Sequence, residues 1–260
     1  MSKVIQRKKQ SNSVYDRRSL AIDYKHLPSI LKKGLRVLDV GCATGSITKD
    51  IANLVGASGK VIGIDHTKHM IDDGNDAYCE TKKLELLHSD LYSYEPSEPF
   101  DLIVSARVIQ WMENPINALL KIKSMLKPGG QISILDYNHE RLEWVPQPPI
   151  SMRNFYQSFL KWRADAGMNN AIGTDLPHLL SQIGFKNIEV VPSHEVYTPK
   201  REDFEERVKI WSEVASLKQI ADEGYISEYN RLRAIDDYNN WVENEAQLMK
   251  MFLYDVRGTL

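Results

Sequence analysis

The sequence predicts one α/β domain with a doubly wound, mostly parallel seven-stranded sheet whose last strand is antiparallel, covered by a helical lid made of insertions. Short apolar runs alternate along the chain with amphipathic segments of helical period, which is typical of this fold class. A glycine-bracketed turn, Gly41–Gly45, lies between an apolar run and a helical segment. The last apolar run, 248–256, follows a long insertion, and we expect it to be the antiparallel strand.

Composition argues against several classes of protein. The 260 residues are 42% hydrophobic, enough for a full core, and the net charge of −2 argues against a surface that tracks phosphates. No apolar run reaches the roughly 18 residues that a membrane span needs, and no signal peptide precedes the fold. Cys42 and Cys79 have no metal-ligand spacing. We therefore expect a cytoplasmic monomer or homodimer with no metal, nucleic-acid or membrane partner.

The first strand and its turn predict a nucleotide-binding unit. Leu35–Val40 is an apolar run that indicates a buried parallel strand, and a helical segment follows the turn. Gly41 permits a sharp turn and Gly45 a close approach of backbone to ligand, because neither has a Cβ atom. Backbone N–H groups at the start of the helix favour an acidic group in the crevice. The dinucleotide fingerprint requires glycine where this chain has Ala43 and Ser46, so NAD fits poorly.

The remaining elements follow in a regular order. Further strands are predicted at 61–65, 84–88, 100–105, 131–136, 185–191 and 248–256. Helices are predicted at 13–32 with a break at Pro28, at 46–55, after the N-cap Thr67, and at 115–126, 151–166, 173–183, 201–221 and 227–243. The proline-rich segment 144–149 is expected to be extended and irregular.

Two motifs resemble those of class I S-adenosylmethionine-dependent methyltransferases of the small-molecule type. The first is the turn 39–45, with the pattern Asp-x-Gly-x-Ala-x-Gly, where the family usually has glycine in place of alanine. The second is Leu-Lys-Pro-Gly-Gly at 126–130, between a helix and a strand. The resemblance covers 35–135 well. It implies S-adenosylmethionine as the cofactor and S-adenosylhomocysteine as the product.

The ends of the early strands carry the expected cofactor contacts. Asp65 ends the second strand, where a nucleotide-binding fold places an acid on the ribose hydroxyls. The resemblance implies that the Asp90 carboxylate accepts from the adenine amino group, while the Leu91 backbone N–H serves the ring. The Met70 thioether could lie against adenine. The full predicted set is Asp39, Gly41, Cys42, Ala43, Thr44, Gly45, Asp65, His66, Met70, Asp90, Leu91, Ser105, Ala106, Tyr15 and Arg18.

The two long insertions leave from the edge of the sheet where ligands bind in such folds. We therefore expect them to cover the cofactor together with the N-terminal segment. The expected organisation is a single domain, 1–260, with a core of about 33–138, 173–192 and 246–258 and a lid of about 1–32, 139–172 and 198–245. Alternatively, the helices of the second insertion form a dimer surface.

Aromatic side chains in and near the insertions predict a pocket for a flat or apolar acceptor. Trp111 stands where many relatives have histidine, so we expect an aromatic wall there, or core packing, rather than a base. His139 is the candidate general base because of its intrinsic pKa, although a loop histidine on the surface is the commoner finding. The predicted pocket residues are Trp111, Tyr137, Trp144, Phe155, Phe159 and Trp211.

The expected activity is S-adenosylmethionine-dependent transfer of a methyl group to oxygen or nitrogen of a small organic acceptor by in-line displacement. Two alternatives stay open at this point. One is an NAD-dependent oxidoreductase, disfavoured by Ala43 and Ser46. The other is a non-catalytic module that binds S-adenosylmethionine or a nucleoside.

Overall fold

The computed structural model describes residues 18–260, which form an eight-stranded sheet flanked by helices. The strands are β1 (Arg36–Val40), β2 (Lys60–Asp65), β3 (Leu84–His88), β4 (Phe100–Ala106), β5 (Leu126–Val145), β6 (Lys186–Pro192), β7 (Glu195–Tyr197) and β8 (Leu248–Thr259). Their order is β3-β2-β1-β4-β5-β8-β6, and β7 pairs with β8. Strands β1 to β5 are mutually parallel, whereas β8 runs antiparallel to β5, β6 and β7. The predicted fold class is confirmed, with one additional short strand, β7.

Both faces of the sheet are buried. Along β1, Val37 belongs to one hydrophobic cluster and Leu38 to another, and Leu102 and Ile103 of β4 divide between the same two clusters. Successive side chains of a strand point to opposite faces, so the two clusters lie on opposite sides of the sheet. This is the doubly wound arrangement that the near-continuous apolar strands predict.

The helices agree with the periodicity of the sequence over most of the chain. They are α1 (Leu20–Asp23), α2 (Ser46–Val55), α3 (Lys68–Ala77), α4 (Pro115–Ser124), α5 (Ile150–Asp165), α6 (Ile172–Gln182), α7 (Phe204–Val208), α8 (Ile210–Ala215), α9 (Gln219–Asp222) and α10 (Glu228–Asn244). Short 3-10 turns occupy Leu27–Ser29 and Ile109–Trp111. Thr67 is at the N-cap position of α3 as predicted, but its side chain makes no capping hydrogen bond.

Two helix predictions are wrong. Within the described part of 13–32, only α1 and the turn at Leu27–Ser29 form, with Pro28 inside that turn. The predicted helix 201–221 is divided into α7, α8 and α9. Its buried apolar positions are spaced by three or four residues up to Ala215, and the next one, Ile220, comes five residues later. One straight helix cannot keep that last step on its buried face.

Strand β5 is much longer than the predicted 131–136. It continues to Val145 because β8 pairs with it beyond the ordinary strand end, up to the pair Val145 and Leu248. The pairing with β8 shifts its register between Asn138 and Glu143 and then resumes, so 137–145 is an extended strand with a bulge. This extension carries Tyr137 and His139 beyond the last pair between β4 and β5, Ala106 and Leu135.

The insertion helices share a core with the sheet. Phe155 and Trp162 of α5 and Trp241 of α10 belong to the same hydrophobic cluster as Val37 and Leu102 of the central strands. Each of these three aromatic side chains is at most 1% exposed. In the described residues, one hydrophobic cluster thus includes side chains from both the predicted core and the predicted lid. That the insertions act as a lid stays a prediction.

Candidate active site

The turn after β1 has the backbone conformation that its glycines predict. Gly41 and Gly45 have φ angles of 76° and 79°, and Gly45 is the N-cap residue of α2. Ala43 also has a positive φ, 52°, a region that residues with a side chain rarely adopt. The departure from the usual glycine is thus accommodated by the smallest chiral residue. The order of the strands reverses between β1 and β4, so this turn lies at the switch point of the sheet.

Asp65 at the end of β2 is tied to this turn by its carboxylate. Oδ2 accepts a hydrogen bond from the Ala43 N–H at 3.0 Å, and Oδ1 accepts one from the Thr67 N–H at 2.8 Å. The side chain is only 2% exposed, and His66 Nδ1 lies 3.6 Å from Oδ1. Each carboxylate oxygen has two lone pairs, so both keep the capacity to accept from a ligand hydroxyl.

Polar groups beneath the turn complete this side of the site. Thr48 Oγ1 donates to Asp39 Oδ2 at 2.6 Å. Burial raises the pKa of Asp39 to about 6, against the opposing effect of this hydrogen bond. Burial likewise raises the pKa of the Cys42 thiol, which keeps it protonated. Thr44 Oγ1 is buried and has no hydrogen-bond partner among the described residues. The unpaired Thr44 hydroxyl lies in the turn next to the Asp65 carboxylate, which can accept further hydrogen bonds. This arrangement fits a nucleoside cofactor.

The other predicted cofactor residues have mixed environments. Asp90 is exposed and its Oδ1 accepts from the Tyr92 N–H at 2.8 Å, which is a turn-forming contact. Leu91 and Met70 are buried, and Ser105 Oγ donates to the Val40 carbonyl at 3.1 Å. Ala106 ends β4.

The two predicted cofactor residues of the N-terminal segment are Tyr15 and Arg18. Tyr15 lies outside the described residues. Arg18 is half-buried and close enough to Tyr137 and Glu195 to lower their pKa values, which places it beside β5 and β7 rather than at the turn.

Arg107, directly after β4, is the centre of a buried polar cluster. It has a positive φ of 62° and its guanidinium is 5% exposed. Nη2 donates to Glu195 Oε1 and to the Asp23 carbonyl, and Nε donates to the Tyr137 hydroxyl at 3.0 Å. The Tyr137 hydroxyl in turn donates to Glu195 Oε2 at 3.3 Å. We name this group, Arg107, Tyr137, Glu195 and Asp23, the Arg107 cluster.

Within the Arg107 cluster, Arg107 and Glu195 compensate each other's charge, and Asp23 also faces Arg207, whose Nη1 lies 3.8 Å from Asp23 Oδ1. Burial alone would raise the pKa of Glu195, but the adjacent Arg107 guanidinium holds it below its usual value. Burial and the Glu195 carboxylate together raise the pKa of Tyr137 well above its ordinary range. The cluster therefore contains an ionised pair and a protonated phenol at neutral pH. It joins α1, β4, β5 and β7 at the carboxyl edge of the sheet.

His139 is not a surface histidine. It is 7% exposed, its ring stacks on Tyr137 with centroids 5.1 Å apart, and its Nε2 lies 2.5 Å from Gln110 Oε1. Because Gln110 Nε2 donates to the Arg107 carbonyl, Gln110 Oε1 faces the imidazole as an acceptor. Nε2 then carries the proton and Nδ1 the lone pair. Burial, with a smaller contribution from the Arg163 charge, lowers the pKa of His139 well below 6.5.

The predicted pocket aromatics pack against one another. Trp211 makes edge contacts with Tyr156, Phe159 and His139, at centroid distances of 4.8, 5.6 and 6.1 Å. Trp144, Phe155, Phe159 and Trp211 are 7%, 0%, 1% and 3% exposed, so all four are core residues of the described structure. One face of Trp111 is covered by the Arg163 guanidinium, whose Cζ lies 4.6 Å from the ring centroid.

Sequence reasoning missed four polar residues of this region. Arg107 has a usable signal, because it directly follows a strand end at the carboxyl edge. Gln110, Arg163 and Glu195 have none, since their neighbours in space are distant in the sequence. In the described range, 18–260, no three histidine, cysteine or acidic side chains cluster as metal ligands. None of the helices in that range is long and apolar enough to span a membrane.

Fold and site together define a Rossmann-like protein of the class I methyltransferase type. Its strand order, its glycine turn and the acid at the end of β2 all belong to that class. The model of the methyltransferase domain family matches residues 31–223, which is most of the chain. The chain belongs to the methyltransferase domain family, whose cofactor is S-adenosylmethionine. The resemblance stated from the motifs is confirmed, and the NAD alternative is set aside.

Individual proteins show how far the likeness extends. The chain is 33% identical over 132 residues to a mitochondrial ubiquinone biosynthesis O-methyltransferase of Dictyostelium discoideum, covering 46% of this chain and 40% of that protein. It is 26% identical over 172 residues to a Staphylococcus aureus demethylmenaquinone methyltransferase, covering 62% and 71%. The crystal structure of an Aquifex aeolicus SAM-dependent methyltransferase shares the fold, with a TM-score of 0.55, 17% identity and coverage of 98% and 99%. The chain thus spans well under half of the first relative.

Proposed function

We propose that this chain methylates oxygen or nitrogen of a small organic acceptor and uses S-adenosylmethionine as the methyl donor. The observation that carries the proposal is the direct contact between the Asp65 carboxylate and the glycine-bracketed turn 41–45, at the point where the strand order reverses. The Asp65 carboxylate is held by the Ala43 and Thr67 N–H groups, directly beside the left-handed turn. Family membership supplies the class of reaction.

The cofactor site is assigned to residues that the geometry gathers around the turn. Asp65 accepts from the ribose hydroxyls with its remaining lone pairs. Thr44 Oγ1, which is buried without a partner, donates to the cofactor. The start of α2 directs its free N–H groups toward the methionine carboxylate. Asp90 and Leu91 flank the adenine at the end of β3, and His66 and Met70 line the same side.

The acceptor site is assigned to the tips of β4 and β5. S-adenosylmethionine supplies a methyl group activated by its sulfonium. The chain aligns the acceptor, excludes water with its aromatic side chains, and removes a proton where the nucleophile keeps one. His139 is neutral, with its lone pair on Nδ1, so Nδ1 takes the proton that the acceptor atom loses as the new bond forms.

The relatives support a ring-shaped organic acceptor. Two of them are named for quinone pathways, and the site in this chain is rich in aromatic side chains. Stacking on such rings favours a flat molecule. A cytoplasmic location and a monomeric or dimeric state remain predictions of the sequence, and one relative is named mitochondrial. Fractionation of cells and light scattering test these two points.

Ligand binding tests the proposal directly. S-adenosylmethionine or S-adenosylhomocysteine at one hundred times its Kd should stabilise the protein by about 2.7 kcal/mol in thermal unfolding, and NAD should not. Radiolabelled methyl transfer to an acceptor library distinguishes an enzyme from a non-catalytic binding module. Stabilisation by NAD alone, or by none of the three ligands, overturns the proposal.

A further inference from the structure

A buried arginine near the acceptor site has no counter-charge in contact. Arg163 of α5 is 0% exposed. Nη2 donates to the Gln110 carbonyl and Nε to Asn170 Oδ1, each at 2.8 Å, and both of these acceptors are neutral. Nη1 is buried without a partner, and within residues 18–260 no carboxylate lies at ion-pair distance. Fully buried arginines are rare unless paired, because an uncompensated charge in the interior is costly.

The neighbouring carboxylate of Asp136 attracts Arg163 through space but makes no hydrogen bond or ion pair with it. Asp136 accepts hydrogen bonds from the Gln110 and Tyr137 N–H groups, both at 3.0 Å, and not from Arg163. Burial raises the pKa of Asp136 to about 7, so near neutral pH it carries only part of a charge. Arg107, the other buried arginine with a free N–H, differs because Glu195 compensates it.

Aromatic rings surround the Arg163 guanidinium. Its guanidinium lies over Trp111 and 5.4 Å from the Phe159 ring centroid. Trp211 makes an edge contact with the Phe159 ring. The His139 ring, with its lone pair on Nδ1, contacts both Phe159 and Trp211.

We propose that the methyl acceptor is an organic anion whose carboxylate is bound by Arg163 Nη1. The inference rests on the proposed function and names its substrate class. A carboxylate accepts from Nη1 and supplies the counter-charge that Arg163 lacks in direct contact. A planar acid bound there presents its hydroxyl or amine toward His139. Arg163 then determines specificity and takes no part in proton transfer.

Pairs of acids and their methyl esters test the charge requirement. The probes are benzoate and meta-hydroxybenzoate against methyl benzoate and methyl meta-hydroxybenzoate, titrated by calorimetry into protein saturated with S-adenosylhomocysteine. We expect each acid to bind at least tenfold more tightly than its ester. A panel in which acids and esters behave alike, including one in which neither binds, overturns the assignment. Binding of S-adenosylhomocysteine in the same samples shows separately whether the proposed function stands.

Variants of α5 test whether Arg163 supplies the positive charge that binds the acids. Arg163→Met should weaken binding of the acids by about ten- to a hundredfold, abolishing their preference over the esters. Arg163→Lys should keep part of that preference because it keeps the charge. Arg153→Met is the matched control on the same helix, since Arg153 bonds to the Pro148 carbonyl instead. An undiminished preference in Arg163→Met contradicts the inference, and the wild-type comparison decides the matter if that variant does not fold.

Discussion

The proposed cofactor side and the proposed acceptor side of the crevice are built in different ways. On the cofactor side, the turn 41–45 and Asp65 are joined by backbone N–H groups, and few side chains are needed. On the acceptor side, the Arg107 cluster and the pair Gln110 and His139 are joined almost entirely by side chains. A backbone-built site tolerates little variation at its glycines. A side-chain-built site can change its ligand while the fold is kept.

This difference predicts that damage on the two sides will have different consequences. Substitutions in the turn should remove cofactor binding, whereas substitutions in the Arg107 cluster should change stability or acceptor binding and leave the cofactor in place. The predictions below test that separation, from the largest expected effect to the smallest.

Gly41→Val should abolish binding of S-adenosylhomocysteine while the protein stays folded. The position has a φ of 76°, and a Cβ there would overlap Cγ2 of Val108, which follows the end of β4. The turn must move, and its N–H groups with it. Gly129→Val is the matched control, because Gly129 has a φ of 75° with nothing within 4 Å of the added Cβ. Calorimetry showing normal binding by folded Gly41→Val would place the cofactor elsewhere.

Asp65→Ala should weaken the binding of S-adenosylhomocysteine by about 1.5–3 kcal/mol, because a charged acceptor for the ribose hydroxyls is lost. The same change releases the Ala43 N–H, so part of the loss comes from the turn. Asp72→Ala on α3 is the control, since Asp72 is exposed and paired only with Lys68. Equal affinities of wild type and Asp65→Ala in calorimetry would remove Asp65 from the cofactor site.

The conformation of the turn 41–45 and its proximity to Asp65 were predictable from the sequence. These residues lie in one short turn and at the end of the next strand, where glycine permits the left-handed backbone and a strand end places the acid beside it. Strand positions were predictable because buried parallel strands are short apolar runs. The length of β5 was not, because it depends on pairing with β8, more than a hundred residues later in the chain.

The acceptor side was predictable only in part. Aromatic residues and His139 could be named, but not the environment that buries His139 and lowers its pKa. The partners that create it are distant in the chain: Gln110 is 29 residues from His139, and Arg107 is 88 residues from Glu195. No local pattern encodes such pairs. The broken helix 201–221 has a similar origin, since the tertiary packing of Ile220 overrides helical propensity.

Glu195→Gln should lower the free energy of unfolding by about 1.5–3 kcal/mol and leave S-adenosylhomocysteine affinity within twofold of wild type. The loss is the ionised partner of the buried Arg107 guanidinium. Because the folded-state pKa of Glu195 is below 4.5, its contribution is present above pH 4.5 and disappears as the pH falls through the folded-state value. Urea unfolding between pH 3 and 8 should therefore show the two proteins converging at the acid end.

The control for that prediction is Glu205→Gln, which removes a largely exposed carboxylate and should cost less than 1 kcal/mol. A loss of cofactor affinity in Glu195→Gln as large as in Asp65→Ala would contradict the separation of the two sides. A stability difference that stays constant down to the lowest pH would contradict the ion pair itself.

Gln110→Glu should raise the pKa of His139 by about one unit or more, because a carboxylate replaces the neutral amide 2.5 Å from Nε2. The imidazole C–H signals, assigned by comparison with His139→Gln, report the titration by nuclear magnetic resonance in the presence of S-adenosylhomocysteine. In wild type the ring should stay neutral down to a pH well below 6.5.

Gln110→Met is the matched control, since it removes the acceptor without adding charge and should also release the ring from a single tautomer. Cofactor affinity should be unchanged in both variants, because Gln110 contacts only the acceptor side in the described residues. An identical titration of His139 in wild type, Gln110→Glu and Gln110→Met would show that Gln110 does not orient the ring, and Nδ1 would then lose its claim as the fixed proton acceptor.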